Sequence, residues 1–198
     1  MNEPKKKKFL DPNLKNKSKT VEDKIQLFQF NGVMLPLPTE IEISESGTCN
    51  RKCSFCPRSA SNFIDKKEFI SNMLHEKLCI ELKELNYRGT IRYSGFVEPM
   101  LDKNIYNLVN MVRNYLPDSN IEMVTNGDPL NLKRLKKVFE HGLNKILISS
   151  YDGKAESEKL EDLCIQANLK KEQYIVRHRY YSEDQDFGIT LSNRSGLM

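Results

Sequence analysis

The fold is decided by a short alternating run that leads into a cysteine-rich loop, Glu40-Ile-Glu-Ile-Ser-Glu-Ser-Gly-Thr-Cys-Asn-Arg-Lys-Cys-Ser-Phe-Cys-Pro57. Ile41 and Ile43 alternate with glutamates after Pro38, which predicts a strand over residues 40–44. The loop follows that strand directly and carries three cysteines. The rest of the chain continues from this unit with further strands, each followed by a polar loop and a helix.

Four more strands are predicted over residues 90–93, 121–124, 145–149 and 174–180, and a sixth over residues 187–191. The helices are indicated by caps and by apolar residues three and four positions apart. In chain order these positions are Ser71 with Leu74, Leu78, Leu82 and Leu85; Asp102 with Ile105, Leu108, Val109 and Val112; Leu132, Leu135, Val138 and Phe139 before Gly142; and Leu160, Leu163, Cys164 and Ala167.

Strands that alternate with helices indicate βαβ units and a parallel sheet. Right-handed crossovers place the helices on one side of such a sheet if it curls. The units are too few for a closed eight-stranded barrel, so we predict an α/β fold, an open, partial parallel β/α barrel of about five to six strands. Functional side chains are then expected at the C-terminal ends of the strands.

The composition is that of a soluble globular chain with a basic N-terminus. Of 198 residues, 38% are hydrophobic and 29% are charged, and the formal net charge is +4. Residues 1–20 hold seven lysines, so we divide the chain into a basic, disordered leader and lead-in segment, residues 1–37, and a core domain, residues 38–198. Because the excess charge lies in this tail, nucleic acid is not the expected partner. No apolar run approaches the roughly 20 residues of a membrane span and no secretory signal is visible, so a cytoplasmic location is predicted.

The three loop cysteines, Cys49, Cys53 and Cys56, have the spacing Cys-x3-Cys-x2-Cys. Tight clustering within an odd total of five cysteines argues against a disulfide framework and for a metal or cluster site. Thiolates suit iron–sulfur clusters and zinc, and a 4Fe–4S cluster with three thiolates keeps one iron open to an external chelator. A structural zinc ion normally takes four protein ligands, and His75 or Cys79 are the candidates for the fourth. The spacing favours the open cluster, with zinc as the alternative.

With a strand before it, this spacing resembles the signature of radical S-adenosylmethionine enzymes. The resemblance implies that Cys49, Cys53 and Cys56 hold a 4Fe–4S cluster that cleaves S-adenosylmethionine reductively to a 5′-deoxyadenosyl radical, which abstracts hydrogen from a substrate. Phe55, just before the third cysteine, is aromatic, as is usual in that family. The resemblance places Phe55 near the adenine of the cofactor. The other role open to this side chain is to shield the cluster from water.

The second strand runs into Tyr93-Ser-Gly-Phe-Val-Glu-Pro-Met100. This stretch resembles the family's Gly-Gly-Glu-Pro element, which binds the amino group of the methionine moiety, although Val97 stands where the second glycine is usual. The resemblance makes Ser94, Gly95 and Glu98 cofactor-binding residues. Taken alone, this stretch of sequence predicts only a turn with an exposed glutamate.

The next two strands also end in polar motifs, Val124-Thr-Asn-Gly127 and Ser149-Ser-Tyr-Asp-Gly153. Thr-Asn-Gly stands at this position in relatives that modify peptides and proteins, so the resemblance directs Asn126 toward cofactor and substrate. The second motif resembles the family's Ser-x-Asp-Gly, which implies a contact between Ser150 and S-adenosylmethionine. Arg177 is a candidate for neutralising the cofactor carboxylate, and the alternative is a surface arginine on an edge strand.

The stretches Arg177-His-Arg-Tyr-Tyr181 and Asn193-Arg-Ser-Gly196 are similar to the region that precedes the SPASM domain in many radical enzymes. We therefore expect a radical S-adenosylmethionine core without a SPASM domain, either short by nature or truncated. The expected partners are an external electron donor and a substrate, with a lean toward a peptide or protein. The alternative function is a non-catalytic module that uses a metal or cluster to bind a partner chain.

Overall fold

A computed structural model describes residues 25–179, in which five strands form one parallel sheet. The strands are β1 (Leu27–Phe30), β2 (Val33–Pro36), β3 (Glu40–Ile43), β4 (Thr90–Tyr93), β5 (Asn120–Thr125), β6 (Lys145–Ser150) and β7 (Tyr174–His178). The helices are α1 (Asn72–Glu84), α2 (Ile105–Tyr115), α3 (Leu132–Glu140) and α4 (Lys154–Gln166). The sheet order is β3-β4-β5-β6-β7, with a helix between each pair of successive strands. The predicted α/β class is confirmed as an open five-stranded sheet, and the predicted sixth strand lies outside the described residues.

The face of the sheet that packs on the helices is apolar. Its buried side chains stand in register on neighbouring strands and include Ile43, Ile91, Tyr93, Ile121, Met123, Ile146 and Ile148. The helix α2 contributes Ile105, Leu108, Val109 and Val112, each at most 1% exposed, which confirms the face predicted for it. Burial of this apolar surface, at about 25 cal/mol per Å², is what holds the helices on the sheet.

The opposite face of the sheet carries charged side chains. Glu42, Arg92, Glu122 and Lys145 stand side by side across β3 to β6. Arg92 is 1% exposed and donates hydrogen bonds to Glu40 at 2.6 Å and to Glu122 at 2.6 Å. A buried charge is tolerated when it is paired in this way. The charged row is followed on the same face by the apolar Val124, Leu147 and Ile175, and then by Ser149 and Arg177 near the C-terminal strand ends.

The hairpin of β1 and β2 was not predicted. Its turn is Asn31-Gly32, with φ of 48° and 81°, and this dipeptide is the typical two-residue turn of a β-hairpin. Phe30 and Val33, on either side of the turn, are 58% and 57% exposed. The hairpin lies within the segment 1–37 that the composition assigns to a leader and lead-in, and that domain division stays a prediction.

The helix α1 begins where predicted but presents a different side to the core. Its cap is Ser71, whose hydroxyl accepts the Leu74 N–H at 3.2 Å. Leu74 is nevertheless 57% exposed, whereas His75, Cys79 and Leu82 are buried. Leu82 is buried as predicted, but the stripe was wrong at both ends, since Leu85 is also 38% exposed. At the start of the helix His75 takes the inward position because it finds a hydrogen-bond partner in the sheet.

Asp102 does not cap α2 as predicted. The helix begins at Ile105, and its N-cap residue is Asn104. Asp102 lies two residues before this N-cap, where its carboxylate accepts the Asn104 N–H at 2.8 Å and so shapes the turn before the helix.

A buried acid lies just after β3. Glu45 is 1% exposed, and its Oε1 accepts the Ser46 hydroxyl at 3.2 Å. Its Oε2 and the Oδ2 of Asp102 have no hydrogen-bond partner among the described residues. Burial raises the pKa of Glu45 to about 7, with the nearby charge of Asp102 adding to the rise. The folded chain therefore binds this proton more tightly than an unfolded chain does.

We expect Glu45→Gln to gain stability relative to the natural chain as the pH rises. The folded pKa of about 7 lies above the ordinary value of 4.5, so between those pH values Glu45 ionises in the unfolded chain but stays protonated in the folded one, and the folded state loses stability as the pH rises. Glutamine removes that loss, which amounts to about 3 kcal/mol at most. Urea unfolding at pH 5 and pH 8 measures it, with exposed Glu158→Gln as the control. A stability difference that is the same at both pH values would contradict the buried acid.

Candidate cofactor site

The cysteine loop leaves the C-terminal end of β3 and is closed by its own backbone. The Cys56 N–H donates to the Cys53 carbonyl at 2.9 Å, and a single 3-10 turn follows at Pro57–Ser59. Arg58 is 3% exposed and donates to the carbonyls of Gly47 and Phe96, each at 3.1 Å. This arginine therefore ties the start of the loop to the loop after β4. The three cysteines are partly exposed, as expected for ligands of a group bound at the C-terminal ends of the strands.

The cysteine sulfurs are spread more widely than a zinc ion requires. Within residues 25–179, one set of three or more Cys, His, Asp or Glu side chains has its ligand atoms within 4.8 Å of one another, and it consists of Asp128, Asp152 and Glu156. Zinc–sulfur bonds of about 2.3 Å in a tetrahedron bring thiolates to about 3.8 Å from each other. A 4Fe–4S cluster takes each thiolate on a different iron and holds them further apart. The three thiols are therefore not gathered at the separation that a single zinc ion imposes.

The two candidates for a fourth zinc ligand, His75 and Cys79, are buried in the core. His75 is fully buried, with Nε2 2.9 Å from the Tyr93 hydroxyl and Nδ1 3.4 Å from the Met111 sulfur. Cys79 is 1% exposed, and its sulfur lies 3.8 Å from His75 Nδ1. Burial lowers the pKa of His75 to about 4 and raises that of Cys79 to about 11. Both residues are therefore neutral packing partners of the sheet.

Glu98 joins the loop after β4 to the end of β5 and to the cysteine loop. Its carboxylate is buried, and Oε1 accepts the Thr125 hydroxyl at 2.6 Å and the Met100 N–H at 3.0 Å. Oε2 accepts the Asn126 N–H at 2.7 Å, and the Glu98 N–H donates to the Thr48 carbonyl at 2.9 Å. Burial raises the pKa of Glu98, while these hydrogen bonds oppose the rise. Glu98 is not the exposed glutamate of a simple turn.

Asn126 reaches from the end of β5 to the cysteines. Its side-chain nitrogen lies 3.8 Å from the Cys49 sulfur and donates to Asn50 Oδ1 at 2.8 Å. Its backbone N–H binds Glu98, as above. The structure therefore brings Cys49, Glu98 and Asn126 together at the C-terminal ends of three neighbouring strands.

Ser94 and Gly95 form the turn directly after β4. Gly95 has a φ of +128°, which favours glycine, and a Cβ there would collide with the Ser44 hydroxyl. That hydroxyl donates to the Ser94 carbonyl at 2.9 Å. The glycine thus allows the β4 turn to lie against the end of β3, where the cysteine loop begins.

Phe55 packs on an aromatic ring that sequence reasoning missed. Its ring centroid lies 5.6 Å from that of Tyr151, with 29° between the planes, and Tyr151 directly follows β6. The stack joins the cysteine loop to the β6 end, which agrees with a covering role for Phe55. The contact of Phe55 with adenine stays a prediction.

Ser150 and Arg177 end on opposite faces of the sheet. Ser150 is fully buried, and its hydroxyl donates to Glu156 Oε2 at 2.6 Å and accepts from the Ser157 hydroxyl at 3.0 Å. Arg177 is 7% exposed and stands beside Ser149, on the charged face. Because alternate strand residues point to opposite faces, Ser150 faces α4. Arg177 is buried rather than an exposed surface arginine, and the cofactor contacts of both residues stay predictions.

These features define a class of protein. A sequence profile of the Radical SAM superfamily matches residues 43–171, from the end of β3 to the residues before β7. The chain belongs to this superfamily, which confirms the resemblance drawn from its motifs. Members are enzymes that use a 4Fe–4S cluster and S-adenosylmethionine together with a reductant, so the predicted cofactors are confirmed at the level of the family.

Individual relatives extend the comparison. The chain is 31% identical to the S-adenosyl-L-methionine-dependent 2-deoxy-scyllo-inosamine dehydrogenase of Niallia circulans over 159 residues, 80% of this chain and 60% of that protein. It is 30% identical to the Probable GTP 3′,8-cyclase of Thermococcus kodakarensis, over 61% of this chain and 38% of that protein. The crystal structure of BtrN in complex with AdoMet and 2-DOIA superposes with a TM-score of 0.64 and 26% identity, over 81% of this chain and 62% of that one. The chain thus spans less than two thirds of the length of these relatives.

Within residues 25–179, none of the helices has the length and apolar character that crossing a bilayer demands.

Proposed function

We propose that this chain is a radical S-adenosylmethionine enzyme in which Cys49, Cys53 and Cys56 hold a 4Fe–4S cluster and the fourth iron binds S-adenosylmethionine. The observation that carries the proposal is the meeting of Cys49, Glu98 and Asn126 at one sheet edge, through the 3.8 Å contact of Asn126 with the Cys49 sulfur and its 2.7 Å bond to Glu98. Three thiols without a fourth ligand from the core are what an open iron requires.

The bound cofactors would supply one-electron cleavage of the sulfonium and a 5′-deoxyadenosyl radical, which is chemistry that no side chain provides. The chain's own residues supply position. Asn126 donates toward the Cys49 sulfur, and such a hydrogen bond stabilises a thiolate and tunes the cluster it holds. Glu98 keeps the ends of β4 and β5 together, so that the turn at Ser94 and Gly95 lies beside the cysteines. Arg177 stands beside Ser149 near the C-terminal end of β7 and is the candidate for neutralising the cofactor carboxylate.

The substrate is proposed to be a small polar molecule that meets the charged face of the sheet. The names of the relatives point to such molecules, 2-deoxy-scyllo-inosamine in one and GTP in the other. Ser149 and Arg177 lie on that face at the strand ends, and both can form hydrogen bonds to hydroxyl or anionic groups. The peptide or protein substrate suggested by the Thr-Asn-Gly word and the cytoplasmic location both stay predictions.

The test is the formation of 5′-deoxyadenosine. The purified full chain is loaded anaerobically with iron and sulfide, reduced with dithionite and mixed with S-adenosylmethionine. The account predicts 5′-deoxyadenosine and methionine in equal amounts, and neither product when dithionite is omitted. A chain with four irons and four sulfides that forms no 5′-deoxyadenosine would overturn the proposed activity.

A further inference from the structure

One arginine between the cysteines is bound by three carboxylates from other parts of the sheet edge. Arg51 donates to both carboxylate oxygens of Asp128, from Nε at 2.7 Å and from one terminal nitrogen at 2.5 Å. It donates to both oxygens of Asp152 at 3.0 Å and 2.7 Å, and to Glu156 at 3.3 Å. Paired bonds of this kind are among the strongest and most directional that side chains form. We call these four residues the Arg51 latch.

Each carboxylate of the latch belongs to a different structural unit. Asp128 follows the Thr-Asn-Gly turn after β5, Asp152 lies in the loop after β6, and Glu156 stands in the first turn of α4. Glu156 in turn accepts the N–H groups of Tyr151 and Asp152 at 2.8 Å and 2.9 Å. The latch thus fastens the middle of the cysteine loop to the ends of two strands and to one helix.

Neighbouring contacts reinforce the same attachment. Asn50 donates to Asp128 at 2.6 Å, and the Arg51 guanidinium carbon lies 5.3 Å from the Tyr151 ring centre. That ring stacks on Phe55, on the far side of Cys53 in the loop. The Arg51 N–H points to the Cys49 sulfur at 3.4 Å. The segment between the first and third cysteines is therefore held at both of its ends.

The charges of the latch are unbalanced toward the negative. One guanidinium faces three carboxylates, and the Arg51 side chain is 18% exposed. The three ligand atoms lie within 4.8 Å of one another, so three like charges meet at one place and repel one another to the extent that solvent does not screen them. Arg51 supplies a cation between them, which explains why its pKa is raised by Asp128 and Asp152. Without Arg51, the carboxylates would push the loops after β5 and β6 apart.

We propose that Arg51 is a positioning residue for the cluster, which fixes the cysteine loop on the sheet edge through Asp128, Asp152 and Glu156. The role rests on the proposed function, since the loop it fixes is the one that would hold the cluster. None of its side-chain bonds involves a cysteine. The latch therefore acts on the loop itself and sets the separation of the thiols before and after the cluster is bound.

The test is amide hydrogen exchange of the cluster-free chain, followed by iron release from the loaded chain to a chelator. In Arg51→Ala, exchange in the peptide spanning residues 48–58 should rise about tenfold, and iron should leave about tenfold faster. The reduction potential of the cluster should also become more negative, because a positive charge is lost and three carboxylates remain. Arg51→Lys should restore part of each effect, since lysine keeps the charge but not the paired bonds.

Two further variants keep the test decisive. Arg88→Ala removes an arginine whose exposed ion pair with Asp118, at 3.9 Å, lies near the N-terminal ends of β4 and β5, away from the cysteine loop, and it should behave like the natural chain. Asp152→Asn changes a 63% exposed side chain and should give a smaller increase in exchange even if Arg51→Ala does not fold. Loop exchange and iron release that are unchanged in Arg51→Ala, or loop exchange unchanged in Asp152→Asn, would overturn the latch. The exchange measurement needs no cluster, so it decides the latch even if the natural chain fails to bind iron.

Discussion

Replacing Cys49, Cys53 or Cys56 with alanine should lower 5′-deoxyadenosine formation at least about a thousandfold and should strip most of the bound iron. Each thiolate is one of three ligands, so its loss opens a second iron to water and to chelators. The iron and sulfide content after anaerobic loading measures the loss of iron, and the 5′-deoxyadenosine formed under dithionite measures the loss of activity. The fold should survive, because these side chains are partly exposed and lie outside the core.

The chain offers matched controls in its two other cysteines. Cys79 and Cys164 are buried in the core, 1% and 0% exposed. Cys79→Ala and Cys164→Ala should therefore lose some stability, because they leave small cavities, but should keep the full iron content. Loss of iron in Cys79→Ala would instead identify Cys79 as a fourth ligand and would contradict the open iron position.

Replacing Glu98 should damage both the fold and the chemistry. Glu98→Ala leaves three buried donors without an acceptor, namely the Thr125 hydroxyl and the N–H groups of Met100 and Asn126. Each unsatisfied buried donor costs about 1–3 kcal/mol, so we expect a loss of about 3 kcal/mol or more in the free energy of unfolding. Glu98→Gln keeps the volume but turns an amide NH₂ toward at least one of these donors. We expect it to lose about 2 kcal/mol and to cut 5′-deoxyadenosine formation about a hundredfold.

Urea unfolding of the cluster-free chain separates these two effects of Glu98. Glu158→Gln is the matched control, because Glu158 is exposed on α4 and has only a weak pair with Lys154, at 3.5 Å. If Glu98→Gln unfolds at the same urea concentration as the natural chain, its carboxylate is not the link between β4 and β5 described above. If it is less stable but forms 5′-deoxyadenosine at the natural rate, Glu98 has no part in the cofactor site.

The sheet could be predicted from the sequence because its signal is local. Ile41 and Ile43 mark β3 by alternation alone, and the four apolar residues of α2 all proved to be buried. The side of α1 that faces the core could not be predicted, since Leu74 and His75 are neighbours and only the Tyr93 hydroxyl, on a later strand, decides that the histidine turns inward. The hairpin of β1 and β2 also has a local signal, the Asn31-Gly32 turn, but it lies in the segment that the basic composition assigns to a leader and lead-in.

The site could be predicted in outline for a similar reason. Cysteine spacing is local, and parallel strands carry their ends to one edge, so the meeting of Cys49, Glu98 and Asn126 follows from the order of the motifs. The partners of Arg51 are 77 to 105 residues away in the chain, so no spacing rule could reveal them. Ser150 shows what a motif cannot predict. The motif places Ser150 at the end of the strand, but its hydroxyl donates a hydrogen bond to Glu156.

The most direct measurement of the central claim is Mössbauer spectroscopy of the natural chain loaded with isotopically enriched iron, before and after S-adenosylmethionine is added. Three thiolates on a four-iron cluster leave one iron without a protein ligand. The account predicts that about a quarter of the iron signal shifts to a site of higher coordination when S-adenosylmethionine binds, while the other three quarters remain unchanged. A cluster whose four irons show no response, or a chain that binds one zinc ion and no sulfide, would contradict the claim.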